Sequence, residues 1–115
     1  MNLKEELANE YALRYVERVK YLITGIKEKW LKKENLEEDL EELTELSTQA
    51  LNRYSGTNDL LDLYPAISYI SYRDATLDTL ESLRVLEGKR LPKVIKSKLL
   101  SLPYYSIKFL SQNRP

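Results

Sequence analysis

The sequence lacks several of the side chains that enzymes use most often for catalysis near neutral pH. It contains no histidine, the commonest general base in that range, and no cysteine to act as a nucleophile or to bind zinc. Its three glycines are isolated at positions 25, 56 and 88, so there is no glycine-rich phosphate-binding loop. We therefore expect a non-catalytic protein with no metal site and no cofactor.

Two arginines on one predicted helix are the most unusual candidates for binding. In a helix that begins at Pro65, the helical period places Arg73 and Arg84 on the same face as the apolar residues Ile70 and Leu77. An arginine stays protonated in proteins, so a buried guanidinium needs acceptors. It can reach the edge of the core, pair with a glutamate of the preceding helix, or bind a phosphate or a partner's carboxylate in a cleft. The sequence leaves these alternatives open.

Charge is segregated along the chain, although the formal net charge is zero. Residues 1–33 carry a net charge of +3, residues 34–87 carry −10, and residues 88–115 carry +7 with no acidic side chain. Such a basic segment is typical of contacts with nucleic-acid phosphates, and neighbouring tyrosines can stack on bases. The candidate nucleic-acid-binding residues are Lys89, Arg90, Lys93, Lys96, Lys98, Tyr104, Tyr105 and Lys108.

The same charge pattern has a second interpretation. The basic C-terminal segment, residues 88–115, can fold back on the acidic middle of the chain and neutralise it. Prolines at positions 92 and 103 divide this segment into pieces too short to insert well into a membrane, so we expect no membrane contact. The residues that a helix over 92–101 would bury, together with the one that follows it, are Val94, Ile95, Leu99 and Leu102.

The first predicted helix is unusually long. It begins at a capping box formed by Asn2 and Glu5, and apolar residues at steps of three and four continue it to about Lys33. Gly25 is its one weak position, because glycine in a helix interior costs roughly 1 kcal/mol relative to alanine. A helix of ~45 Å would extend beyond the core of a compact domain of this size. We therefore expect a homo-oligomer, or a protein partner, with an interface at Tyr15, Val19, Leu22 and Ile26.

Two further long helices and two short ones complete the expected architecture. The second helix begins at a capping box at Asn35, and it ends at a turn over residues 55–58 that leads into a single helical turn. The third helix runs over residues 65–87. Short helices follow over 92–101 and 103–110, and then a frayed tail. The fold class is therefore an all-α bundle of three long helices plus a C-terminal pair of short helices.

We expect residues 1–115 to form one helical domain. Charges throughout the N-terminus exclude a signal peptide there, and no stretch reaches the ~20 apolar residues of a membrane span, so we expect a cytoplasmic protein. A surface rich in lysine and glutamate is also typical of thermophilic proteins. Our hypothesis is a helical accessory subunit that binds nucleic acid through the basic C-terminal segment. The alternatives are a protein–protein adaptor whose basic segment only neutralises the acidic middle, and an enzyme that uses arginine and carboxylate groups of the third helix.

Overall fold

A computed structural model describes residues 3–86, which form an all-α three-helix bundle. The helices are α1 (Leu3–Lys27), α2 (Lys33–Thr57) and α3 (Leu63–Leu86), with one turn of 3₁₀ helix at Leu60–Asp62 before α3. The three predicted long helices and the single helical turn between the second and third are confirmed. The predicted caps Asn2 and Gly88, and the pair of short C-terminal helices, lie outside the described residues.

Helix α3 lies between the other two helices and packs along both. It begins at Leu63, so Pro65 lies inside its first turn, where the missing N–H is harmless. The predicted apolar face of α3 is buried, but side chains on the opposite side of the helix are buried as well, because two neighbours need two faces. The fully or nearly fully buried residues of α3 after its first turn are Ala66, Ile67, Ile70, Ser71, Arg73, Ala75, Thr76, Leu77 and Leu80.

The apolar core consists of two clusters, and each takes side chains from all three helices. One cluster comprises Leu22, Leu36, Leu40, Leu77 and Leu80. The other comprises Leu7, Tyr54, Leu63 and Ile67. Each fully buried leucine or isoleucine contributes roughly 1.5–3 kcal/mol to folding. Polar side chains occupy the middle of the bundle between the two clusters.

Helix α1 ends at Lys27, whereas the sequence predicted an end at about Lys33. The N–H of Trp30 donates to the carbonyl of Gly25 at 3.1 Å, and the N–H of Lys29 donates to the carbonyl of Ile26 at 3.2 Å. This is the hydrogen-bond pattern of a Schellman motif. Lys29 takes the left-handed conformation, with φ 65°, at the position that glycine usually holds. Because residues 27–30 include neither glycine nor proline, no sequence signal marked this helix end.

Gly25 is a point of close approach, and the prediction that it is merely a weak position was incomplete. A Cβ atom on Gly25 would lie 2.8 Å from Cβ of Leu31 and 3.1 Å from the ring of Trp30. Because glycine has no side chain, the connection can fold back over α1, and Leu31 packs against the core cluster that contains Leu22. Trp30 also contacts Tyr21 edge-on, with ring centroids 5.2 Å apart.

The three helices are well matched in length, at 25, 25 and 24 residues. The expectation of a homo-oligomer rested on a first helix that outruns its bundle, and that premise was wrong, because the turn after Lys27 ends the helix at the edge of the core. Within residues 3–86, no helix is long and apolar enough to cross a bilayer.

The two ends of α2 also differ from the prediction in their caps. The cap residue at its start is Lys32, whose N–H donates to Oδ1 of Asn35 at 2.8 Å, so Asn35 lies inside the helix. At its end Asn58 adopts the left-handed conformation, with φ 53°, and its N–H donates to the carbonyl of Tyr54 at 2.7 Å. Gly56 lies inside the helix, and Asn58 forms the left-handed cap because asparagine tolerates that conformation.

Candidate functional site

Two tyrosine–aspartate pairs join α1 to α3. The hydroxyl of Tyr11 donates to Oδ2 of Asp74, and that of Tyr15 donates to Oδ2 of Asp78, both at 2.5 Å. The two pairs have the same sequence separation and lie one helical turn apart, so α1 and α3 run parallel in one fixed register. The tyrosine rings stack on each other, with centroids 6.1 Å apart. These pairs therefore fix both the register of α1 and its rotation against α3.

Arg73 is completely buried, as the helical period predicted. Its Nη2 atom donates to Oδ1 of Asp74 at 3.0 Å, and the side chain has 0% exposure. Asp74 is thus an acceptor for the Arg73 guanidinium, which does not extend to solvent. Burial lowers the pKa of Arg73 to about 10, and the adjacent Asp74 carboxylate counteracts that effect. The guanidinium remains charged at neutral pH inside the bundle.

The same burial shifts the pKa values of the groups around Arg73. Desolvation raises the pKa of Asp74, although the hydrogen bonds from Tyr11 and Arg73 act in the opposite direction. Burial and the bond to Asp74 raise the pKa of Tyr11 far above its ordinary value. Burial, followed by the bond to Asp78, raises the pKa of Tyr15 to about 12. Both tyrosine hydroxyls are therefore hydrogen-bond donors throughout the physiological pH range, which suits them to hold two helices together.

Arg18 connects all three helices. Its Nη2 atom donates to Oδ2 of Asp39 on α2 at 2.8 Å, and its Nε atom donates to Oγ1 of Thr76 on α3 at 3.3 Å. The guanidinium carbon also lies 4.9 Å from the ring centroid of Tyr21 and 5.9 Å from that of Tyr72. An arginine between two aromatic faces is additionally stabilised by cation–π attraction. Arg18 is therefore part of the bundle's internal bonding.

Arg84 pairs with a glutamate of the second helix, one of the alternatives that the sequence left open. Its Nη2 atom lies 2.5 Å from Oε1 of Glu37. The sequence analysis did not identify Arg18 or the tyrosine–aspartate pairs. A signal for those pairs was present, because Tyr11 and Tyr15 have the same four-residue spacing as Asp74 and Asp78.

The structure separates the predicted interface residues into two groups. Leu22 is fully buried in the bundle's own core, so its assignment to an interface was wrong. Tyr15, Val19 and Ile26 line a groove of about 410 Å³ that runs between α1 and α3. The remaining residues of this α1/α3 groove are Ile23, Lys27, Asp78, Thr79, Ser82 and Leu83.

The apolar lining of the α1/α3 groove continues onto the outside of α1. Ile23 is 44% exposed, and Val16, on the same side of the helix, is 50% exposed. A second cleft of about 360 Å³ lies between α2 and α3, where Arg53 and Asp62 face each other at 3.8 Å beside Tyr69. The α1/α3 groove is the more apolar of the two, because aliphatic side chains form most of its α1 wall.

The outer face of α2 is strongly acidic, with Glu34, Glu38, Glu41, Glu42 and Glu45 all exposed. These carboxylates lie along the solvent-exposed side of α2. In the part of the chain that the structure describes, no group of three or more acidic side chains converges to hold a metal ion. The candidate nucleic-acid-binding residues, from Lys89 to Lys108, lie outside that part.

No protein-family model, curated protein or solved structure matches the chain. Functional inference therefore depends on the residues of this chain.

Proposed function

We propose that the protein is a non-catalytic helical accessory subunit that binds nucleic acid through its basic C-terminal segment. The supporting observation is the separation of charge between the bundle and this segment. Residues 3–86 carry eleven basic and seventeen acidic side chains, a net charge of −6, whereas residues 88–115 carry +7 and no acid. A cluster of cations without acidic neighbours binds phosphates by displacing their condensed counterions.

The ion pairs within the bundle favour this function over internal neutralisation by the basic segment. Asp39 is paired with Arg18, Glu37 with Arg84, and Asp74 with Arg73. These three carboxylates therefore have basic partners supplied by the bundle itself. The remaining glutamates of α2 lie in solvent, where pairing with a lysine contributes little to stability.

The interior polar groups are suited to packing rather than to chemistry. Tyr11 and Arg73 both donate to Asp74, and Arg73 is fully buried, which leaves its guanidinium no route to a substrate. The α1/α3 groove is open to solvent, and its lining is mainly apolar. These features support an assembly role for the bundle, and we assign the recognition of polyanions to the basic segment.

The test is the salt dependence of nucleic-acid binding. The full chain is titrated into labelled single-stranded RNA and double-stranded DNA at two salt concentrations, alongside a variant in which Lys93, Lys96 and Lys98 are changed to Gln. We expect the variant to bind every nucleic-acid sequence more weakly than the unaltered chain does. The slope of the logarithm of its binding constant against the logarithm of salt concentration should be flatter by up to about 0.7–0.9 per phosphate contact removed. The free energy of unfolding should change by less than ~0.5 kcal/mol, as is usual for surface substitutions.

A matched control makes the same change in net charge on the bundle. Lys4, Lys20 and Lys29 are exposed residues of the α1 region, and their replacement by Gln should leave most of the binding intact. Absence of binding by the unaltered chain at low salt would refute the proposal. Equal losses in the two triple variants would refute a role specific to the basic segment.

The second candidate function is a protein–protein adaptor, and the observation that favours it is the exposed apolar flank beside the α1/α3 groove. In that case the triple Gln variant of the basic segment should be less stable, with an altered salt dependence of unfolding and no nucleic-acid binding to lose. Sedimentation at ~100 μM protein would then test the homo-oligomer, with Val19→Asn and Ile23→Asn as the variants that disrupt it.

A further inference from the structure

We infer that the α1/α3 groove is the docking site of the chain's own C-terminal segment, which lies along the groove over residues 92–102 and presents lysines to solvent. This inference extends the proposed function, and the role of the lysines in binding nucleic acid rests on that function. The occupant of the groove is thus a segment of the same molecule. It is indicated by the apolar stripe on α1, by the point where α3 ends, and by the length and charge of the segment.

Helix α1 has a second apolar stripe besides the one that faces the core. Successive members of the stripe are separated by four, three, four and three residues, the heptad spacing with which one helix packs along another. Among the described residues, Val19 is partly buried and Ile26 packs against the core cluster that contains Leu22, whereas Val16 and Ile23 of the stripe remain about half exposed. The stripe consists of Ala12, Val16, Val19, Ile23 and Ile26.

The chain leaves α3 at one end of the α1/α3 groove. Ser82 and Leu83 line the groove opposite Ile26 and Lys27, and α3 is described as far as Leu86, one turn further on. The residues that follow therefore start beside the groove. Five residues, 87–91, span up to ~16 Å when extended, which is enough for the chain to reverse its direction.

The segment and the groove have the same length. A helix over residues 92–102 would be ~16 Å long, and the α1 wall of the groove from Tyr15 to Ile26 is also ~16 Å long. Ile95, Leu99 and Leu102 are separated by four and three residues and so form one apolar stripe that matches the stripe on α1.

Charge favours the same arrangement. With that apolar stripe against the groove, Lys93 lies on the far side of a helical segment, Lys96 lies at its side, and Lys98 lies at the opposite margin. The segment is wholly basic, whereas residues 3–86 carry a net charge of −6, so the long-range attraction is favourable. Covalent attachment gives the segment a millimolar effective concentration at the groove, well above that of a second copy. Docking therefore covers the open stripe and leaves the lysines spread over the remaining, solvent-facing sides of the segment.

Hydrogen–deuterium exchange of the full chain tests the docking. We expect amides of residues 94–102 to exchange at least about tenfold more slowly than those of an unstructured peptide. Ile23→Asn puts an uncharged polar group beneath the docked segment and should abolish that protection, while α2 keeps its own. The control is Leu61→Asn, because Leu61 is 71% exposed in the 3₁₀ turn, away from the groove. It should leave the protection unchanged.

Each other outcome overturns a specific part of the inference. Unprotected amides at 94–102, or protection that survives Ile23→Asn, refutes docking in the groove. Protection that depends on protein concentration and accompanies a doubled mass in sedimentation shows that the segment docks on a second copy. Protection without any nucleic-acid binding upholds the docking and refutes the proposed function. Binding that is lost in the triple Gln variant, combined with unprotected amides, upholds the function and refutes the docking.

Discussion

Helix α1 has two apolar faces that experience opposite environments. The inner face is closed: Leu22 is completely buried, Gly25 is covered by the following turn, and Tyr11 is bonded to α3. The second face, which we call the flank, is open to solvent, and its residues Val16 and Ile23 remain about half exposed. The inner face accounts for the bundle, and the flank is apolar surface that the bundle does not use. Exposed apolar surface of this kind is where docking is expected.

Polar contacts explain why the flank stays open. A rotated α1 could turn Ile23 towards α3, but it would turn Leu22 out of the core. The bonds from Tyr11 to Asp74 and from Tyr15 to Asp78 also oppose this rotation, because turning the helix would remove the hydroxyl donor of each carboxylate. The difference between the two faces is therefore set by hydrogen bonds and not by hydrophobicity alone.

The largest expected effect concerns the charge buried behind the inner face. Asp74→Ala removes the carboxylate that accepts from both Arg73 and Tyr11, and it should lower the free energy of unfolding by about 3–5 kcal/mol. Urea unfolding measures the change. Replacing Arg73 by Met in the same chain should recover a large part of the loss, because the buried charge is then removed as well.

Two controls accompany this prediction. Glu45→Ala, on the exposed face of α2, should change the free energy of unfolding by less than ~0.5 kcal/mol. Arg73→Ala alone should also destabilise by more than ~0.5 kcal/mol, because a packed stem and an ion pair are both lost. A neutral Asp74→Ala would show that the inner face does not depend on this network.

Two glycine substitutions are expected to have effects of opposite sign. Gly25→Ala places a methyl group 2.8 Å from Leu31 and should destabilise by about 1–3 kcal/mol, although alanine normally favours a helix. Gly56→Ala is the matched control, because it is also helical and has nothing within 4 Å of the added atom. It should stabilise by about 0.5–1 kcal/mol. Thermal unfolding of the two variants gives the comparison, and stabilisation by both would refute a closed inner face at Gly25.

Alkaline pH should weaken the hydrogen bond from Tyr15 to Asp78, which holds α1 in its orientation against α3. The pKa of Tyr15 is raised to about 12 in the folded protein from about 10 when unfolded, so its contribution to stability is complete below pH 10 and is lost between pH 10 and 12. Tyr15→Phe should cost ~1 kcal/mol at neutral pH and make the alkaline decline shallower. Urea unfolding at pH 8 and at pH 11 measures both effects.

The smallest effect distinguishes a covered flank from an open one. With the C-terminal segment docked, Ile23→Ala should cost about 0.5–1 kcal/mol, because part of a buried contact is lost. Leu13→Ala is the comparison, since Leu13 is 57% exposed and does not line the groove. It should cost less than ~0.5 kcal/mol. Equal, negligible costs at both positions would show that nothing covers the groove in the full chain.

Periodicity was sufficient to predict the three helices and the burial of Arg73, because both depend only on which residues share a helix face. It did not predict the acceptor of Arg73, since Asp74 is its neighbour in sequence and lies on a different side of the helix. Packing brings Asp74 to the guanidinium, and helical spacing within α3 alone does not show which side chain will be that acceptor.

Helix ends were predicted least well, for a related reason. Lys29 and Asn58 adopt left-handed conformations that the sequence pattern did not predict at either position. Both are fixed by how the next segment must pack, and Gly25 is glycine because Leu31 returns across it. The charge of the basic segment could be predicted from the sequence. The groove could not, because it is formed only where α1 packs beside α3.

A distance measurement on the full chain tests the docked segment most directly. Because the chain has no cysteine, a nitroxide can be attached at one introduced cysteine, either Lys27→Cys on the groove wall or Glu45→Cys on the acidic face of α2. We expect the label at position 27 to broaden the amide signals of residues 94–102 much more strongly than the label at position 45. Equal broadening, or stronger broadening from position 45, would place the segment against the acidic face and contradict docking in the α1/α3 groove.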